Sequence, residues 1–150
     1  MELILWRHAE AEDTSPDLDR ELTGLGRKQA ARMASWINPR LPQDVRILVS
    51  PAARALQTAQ SLGREYDVDP ALAPGAGAED VLAAADWPNA AHPVLVVGHQ
   101  PTLGRVAAYL LAGQAGDVAI KKGGVWWFQS RARMGELQVV LRAVAEPDWL

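Results

Sequence analysis

An α/β fold, a three-layer α/β/α sandwich around a mostly parallel central sheet, is what the sequence predicts, and three observations carry it. Apolar runs of strand length alternate along the chain with segments of helical periodicity. The runs Leu3-Ile4-Leu5-Trp6, Ile47-Leu48-Val49 and Val94-Leu95-Val96-Val97 are continuous rather than alternating, as expected of strands covered on both faces by helices. Each run also ends on polar residues: Arg7-His8 after the first, Ser50-Pro51 and then Arg54 after the second, Gly98-His99 after the third. In open α/β sheets ligands bind beyond the carboxyl ends of the strands, so two arginines and two histidines are expected at one edge.

The elements follow in order. The first strand is expected at about Glu2 to Trp6, followed by a polar loop from Glu10 to Glu21 rich in Asp and Glu. Thr23 is the expected N-cap of a helix whose apolar positions Ala30, Met33, Ala34 and Ile37 share one face. Pro39 ends it, because the residue before a proline leaves the α region. After the second strand Ser50 is expected to cap a helix and Pro51 to open it, with Ala52, Ala55, Ala59 and Leu62 as the inner stripe and Gly63 just past the end. A loop of small residues, Ala71 to Ala78, precedes a short helix to about Ala85. The strand Val94 to Val97 leads through Pro101 into a helix with Leu103, Val106, Ala107, Leu110 and Leu111 on one face, closed by Gly113. The tail reads as a hairpin, Val125 to Gln129 and Leu137 to Arg142, with its turn ending near Gly135. One of Trp126 and Trp127 is expected in the core, and Trp149 is expected to dock the tail.

Composition bounds the function. At 150 residues, one domain over 1–150 is expected. A net charge of −3 with 22% charged residues gives no electrostatic case for nucleic acid or an anionic membrane as partner. The absence of cysteine excludes disulfides, zinc–thiolate sites and thiol catalysis. Met1-Glu2-Leu3 lacks the basic and apolar regions of a signal peptide, so a cytoplasmic location is expected. His8-x-Glu10-x-Glu12-Asp13 lacks the helical spacing of a metal site, and Gly75-x-Gly77 is no dinucleotide fingerprint. Neither a metal nor another cofactor is expected.

The four cationic or nucleophilic residues suit a phosphate. A phosphoryl group in transfer carries negative charge on its equatorial oxygens, and fixed donors aimed at them stabilise it. Arg7 and Arg54 offer planar, permanently charged forks, Arg54 in the first turn of a helix whose N-terminus already favours anions. A neutral imidazole, His8 or His99, can act as covalent nucleophile toward phosphorus, the other serving as donor or cationic partner.

Four blocks of sequence resemble the histidine phosphatase superfamily, the phosphoglycerate-mutase-like fold. Leu5-Trp6-Arg7-His8-Ala9-Glu10-Ala11 resembles its opening Arg-His-Gly signature. Leu22-Thr23-Gly24-Leu25-Gly26-Arg27-Lys28-Gln29-Ala30 is similar to its Leu-Thr-x-x-Gly-x-x-x-Ala helix start, and Ser50-Pro51-Ala52-Ala53-Arg54-Ala55-Leu56-Gln57-Thr58-Ala59 to its Ser-Pro-x-x-Arg-Ala-x-x-Thr-Ala block. Val96-Val97-Gly98-His99-Gln100-Pro101 resembles the segment with its second histidine. The short length and the Lys121-Lys122-Gly123-Gly124 tail before the hairpin are similar to the small SixA-type phosphohistidine phosphatases. The resemblance implies that His8 is the phosphorylated nucleophile, that Arg7, Arg54 and His99 line the phosphate pocket, and that no metal takes part. It implies as substrate a phosphohistidine-bearing protein, such as a phosphotransfer domain or a phosphotransferase-system carrier.

Two departures qualify it. Ala9 stands where the signature has glycine, an exchange for the next smallest side chain. Mutase-like members place a glutamate after the second block as general acid; Glu79 or Asp80 lies in that region, Glu79 being the candidate, and Glu10 is a further carboxylate near the site. An imidazole leaving group on a labile P–N bond needs less help from an acid than an alkoxide does. Two other readings stand beside the leading one: a phosphatase for a small phosphomonoester, and a non-catalytic phosphate-binding regulatory module. Single residues also admit simpler roles. Arg54 could pair with Glu65 or Asp67, His99 could be a satisfied buried histidine, Ser50 and Thr23 are expected as caps, and Lys121-Lys122 as a solvated pair.

Overall fold

A computed structural model describes residues 1–150 and shows the α/β sandwich. Six strands form one sheet: β1 (Glu2–Arg7), β2 (Arg46–Val49), β3 (Asp67–Val68), β4 (Val94–Gly98), β5 (Val125–Arg133) and β6 (Glu136–Ala145). Their order across the sheet is β3-β2-β4-β1-β5-β6. The first four run parallel, and β5 and β6 are antiparallel to their neighbours. Helices α1 (Gly24–Ile37), α2 (Ala53–Gln60), α3 (Ala78–Ala84) and α4 (Thr102–Ala112) connect them.

Residue alternation along the buried strands sends side chains to two separate cores. Ile4, Trp6, Ile47, Val49, Leu95 and Val97 meet Met33 and Ile37 of α1 and Ala55 and Ala59 of α2. Leu3, Leu5, Leu48, Val94 and Val96 meet Val81 of α3 and Leu103, Val106 and Leu110 of α4. The continuous apolar runs therefore have the cause inferred for them, which is helices on both faces. No helix of the chain is long and apolar enough to cross a membrane.

Register sets the edge that matters here. Arg7 lies level with Gly98, and Val49 with Val97, so the carboxyl ends of β1, β4 and β2 come side by side. The backbone carries the alignment past the strands: His8 N–H donates to the Gly98 carbonyl at 3.1 Å and Ser50 N–H to the Val97 carbonyl at 3.1 Å.

Several expectations need correction. Helix α2 begins at Ala53 after an N-cap at Ala52 that makes no side-chain cap bond, so neither Ser50 nor Pro51 starts it. Thr23, by contrast, does cap α1, its hydroxyl accepting from Gly26 N–H at 2.9 Å. A two-residue strand, β3, lies at the sheet edge in a stretch too short and polar to read as one. The hairpin extends further on both strands than its apolar residues suggest, with the last three residues of β5 exposed to solvent. Trp127 is buried and Trp126 half-buried, whereas Trp149 is 84% exposed and does not dock the tail.

Helix α1 presses on the segment that follows the first strand. A Cβ at Gly26 would overlap the backbone carbonyl of Glu10, two residues beyond His8. Gly26→Ala is therefore expected to destabilise the fold by about 1–3 kcal/mol, because backbone cannot rotate away as a side chain can. Urea unfolding measures it, with Gly24→Ala as control, since a Cβ there meets nothing within 4 Å.

Candidate active site

The four residues at the ends of the strands form one cluster. Arg54 Nε–H donates to His8 Nε2 at 3.3 Å. The His8 and His99 rings are 5.1 Å apart between centroids and tilted by 55°. Arg7 closes β1 beside them; its Nη1–H donates to the Ile120 carbonyl at 2.8 Å. His8, Arg54 and His99 are buried, and Arg7 is partly exposed.

Local hydrogen bonds hold each of these groups in place. His8 Nδ1 lies 2.7 Å from the Ala9 carbonyl oxygen, which can only accept, so Nδ1 carries the proton. Nε2 is then the free lone pair of a neutral ring, turned toward Arg54. The Ala9 N–H donates to Thr58 Oγ1 at 3.0 Å, and the Thr58 hydroxyl donates to the Arg54 carbonyl at 2.7 Å, which ties the His8 segment to α2. His99 Nε2 bonds Ser50 Oγ at 2.7 Å, and that oxygen also accepts from Ala52 N–H at 3.2 Å. The segment from Ile120 to Gly124 folds under β1: Gly123 N–H donates to the His8 carbonyl at 3.1 Å, and Trp6 Nε1–H to the Gly123 carbonyl at 3.0 Å.

Burial and positive neighbours keep both imidazoles neutral. Burial is the main cause that lowers the His8 pKa to about 4; the Ala9 carbonyl works against it, while Arg54, Arg7 and Arg20 add to it. Burial, then His8 and Arg54, lower His99 to about 3. Burial also lowers Arg7 from its ordinary value. The cluster thus pairs two permanent cations with two uncharged rings. Arg7 Nε and His99 Nδ1 are buried and without a hydrogen-bond partner in the protein. Buried polar groups are nearly always satisfied, so two such atoms in one cluster fit an anion with several oxygens.

The structure brings Arg7, His8, Arg54 and His99 together, and no hydrogen bond or ion pair joins Glu79 to them. Glu79 lines a separate cavity of about 820 Å³ with Arg105 and Tyr109. Asp80 is spent on α3, its carboxylate accepting from Gly77 N–H at 2.8 Å. Glu10 accepts from the Thr23 hydroxyl at 2.8 Å and lies 3.8 Å from Lys122 Nζ. Arg54 pairs with neither Glu65 nor Asp67; its partner is Asp17, at 3.2 Å. Sequence reasoning also missed Ser50 as the partner of His99 and Thr58 as the link to Ala9. Both stand in the Ser-Pro-x-x-Arg block, where their spacing from Arg54 is the only signal. No group of three or more His, Cys, Asp or Glu side chains is placed to hold a metal ion.

Comparison with known proteins gives the following likenesses. Residues 3–77 match the sequence model of the histidine phosphatase superfamily, branch 1. The phosphohistidine phosphatase SixA of Escherichia coli (strain K12) is 31% identical over 123 residues, which cover 76% of this chain and 76% of that protein. A phosphohistidine phosphatase SixA homolog of Haemophilus influenzae is 30% identical over 126 residues, 73% of this chain and 77% of that one. The solved structure of the protein histidine phosphatase SixA complexed with tungstate superposes with a TM-score of 0.78 at 25% identity, covering 99% of this chain and 98% of that chain.

The histidines make stability depend on pH. Both bind a proton less readily folded than unfolded, where 6.5 applies, so the unfolded chain holds more protons between pH 6.5 and about 4. Stability is therefore expected to fall as pH drops through that window, by on the order of 2 kcal/mol for each ring. Urea unfolding in phosphate-free buffer at pH 7 and pH 4.5 tests this against His8→Asn, in which the slope should shrink; an unchanged slope contradicts the assignment.

Proposed function

This chain belongs to the histidine phosphatase superfamily and is a phosphatase, and we propose that it removes the phosphoryl group from phosphohistidine on a protein through a phosphorylated His8. The observation that carries the reading is the state of His8: a buried, neutral ring with its proton on Nδ1 and its Nε2 lone pair beside a guanidinium.

In the proposed reaction Nε2 attacks phosphorus, and the P–N bond to the substrate imidazole breaks. The released nitrogen, itself a base, takes up a proton from solvent. The His8 ring now bears phosphorus on Nε2 and a proton on Nδ1, hence a positive charge, which the Ala9 carbonyl at 2.7 Å stabilises. Water then displaces His8 from phosphorus: its oxygen bonds phosphorus, the P–Nε2 bond breaks with its electron pair returning to Nε2, and one water proton goes to solvent, leaving inorganic phosphate and the neutral ring. Arg54 and Arg7 supply charged donors for the equatorial oxygens, and His99, held by Ser50, supplies another polar contact.

Two observations favour a P–N substrate over an alkyl phosphate. The relatives matched over three-quarters of this chain include proteins named phosphohistidine phosphatase. Glu79, the carboxylate suited to protonating an alkoxide, lines a cavity with Arg105 and Tyr109 and makes no hydrogen bond or ion pair to the cluster. Comparing turnover on a phosphohistidine protein with that on a panel of small phosphomonoesters tests the choice, and faster turnover of the esters would reverse it.

Brief exposure to substrate should leave an acid-labile, base-stable phosphoryl group on the enzyme. His8→Ala should abolish both this label and turnover, since it removes the Nε2 lone pair that attacks phosphorus. Near-normal turnover by that variant would rule out the covalent route. Glu79→Gln should leave turnover of phosphohistidine within about twofold of the parent, as expected of a carboxylate outside the reacting cluster.

A further inference from the structure

The loop over the cluster reaches it through one residue. Residues 12–19 are exposed, and the loop is closed at its base by the Glu12 N–H bond to the Glu21 carbonyl, 2.8 Å, and by Gln57, whose Oε1 accepts from Leu22 N–H at 2.8 Å. Glu21 also accepts from Gln57 Nε2–H at 3.0 Å at the base, and between Glu12 and Glu21 only Asp17 bonds to the body of the protein. Arg54 Nη1–H donates to the Asp17 carbonyl at 2.8 Å, and Nη2–H to Asp17 Oδ2 at 3.2 Å. Asp17 Oδ1 accepts in turn from Arg20 Nη1–H at 3.3 Å, and Arg20 Nε–H donates to the Glu12 carbonyl at 2.7 Å.

The two donor edges of the Arg54 fork thus face different acceptors. The end edge, Nη1 with Nη2, is held by Asp17. The side edge begins at Nε, which donates to His8 Nε2 at 3.3 Å. A guanidinium is planar, so fixing its end edge fixes the direction of its side edge. Asp17 also brings the only carboxylate paired with the cluster, and its side chain is 56% exposed where that of Arg54 is 5%.

We propose that Asp17 is a positioning residue for Arg54 that also sets the affinity of the site for anions: it aims the side edge of the guanidinium at the phosphoryl group on His8, and its charge loosens the hold on free phosphate. The proposal rests on the phosphatase reading of the cluster. Burial works against ionisation of Asp17, but Arg54, by charge and hydrogen bond, and then Arg20 together outweigh it and hold the carboxyl below the ordinary range. The charge is therefore present at neutral pH. An anion entering beside His8 meets a guanidinium already half neutralised, and a phosphate product leaves more readily than from an unshared arginine.

The test uses the full chain with Asp17→Asn, and with Asp19→Asn as control, a change of the same charge on an exposed neighbour that makes no side-chain bond. Calorimetric titration with inorganic phosphate should show binding about three- to tenfold tighter in Asp17→Asn, as expected from removing one like charge close to the anion. Asp19→Asn should bind as the parent does. With turnover on phosphohistidine, Asp17→Asn should lower kcat several-fold while KM stays level or falls, a split that loosened packing would not produce. Phosphate binding that is unchanged or weaker overturns the proposal, and so does an equal shift in Asp19→Asn. The titration needs no turnover. If the parent hydrolyses nothing yet Asp17→Asn alone binds phosphate more tightly, the effect of Asp17 on anion affinity stands, and the phosphatase reading falls together with the aiming role that rests on it.

Discussion

A buried guanidinium, that of Arg54, is the constraint on which the site depends. A charge taken out of water costs several kcal/mol unless it is paired and hydrogen-bonded, and here its partners are a neutral imidazole and one carboxylate from a surface loop. Burial above all, and then this same charge, keeps His8 unprotonated. Protonation of His8 would put a second cation against the first. The ring therefore presents a lone pair at neutral pH, and the nucleophile results mainly from burial, with the charge of Arg54 as a further cause.

The fold keeps this arrangement rigid. β4 lies between β1 and β2, so three parallel strands deliver Arg7-His8, His99 and Ser50 to one edge in register. Backbone bonds from His8 to Gly98 and Gly123 fix the nucleophile from two sides, and Thr58 fixes the next residue from a third. Ala9, in place of the signature glycine, is fully buried and packs with Leu22 and Ala30, so the extra methyl is accommodated on the side of α1. Reactive groups on strand ends are held more precisely than groups on loops. Only Asp17 comes from a loop.

The parts of this protein that depend on local pattern were legible in the sequence. Continuous apolar strands, the Thr23 cap, the inner face of α1 and that of α4 through Leu110 each follow from spacing and residue type, and so does the meeting of Arg7, His8, Arg54 and His99; Leu111, expected on the inner face of α4, is exposed instead. Ser50 was misread because a serine before a proline commonly caps a helix; its hydroxyl bonds the Ala52 N–H and His99 instead, and the helix starts later. Trp149 was misread because a large aromatic side chain is usually buried, whereas here it is exposed. Asp17 had no local signal. Its role comes from a contact 37 positions away along the chain, which no periodicity encodes.

The protonation state of His8 is the central claim, and ¹⁵N NMR of the ring nitrogens measures it directly. The account predicts that at pH 7 Nδ1 is protonated and Nε2 is not, and that this neutral tautomer persists until the pH approaches about 4. A ring protonated on Nε2 alone, or on both nitrogens at pH 7, would contradict it, because His8 would then have no lone pair to offer phosphorus.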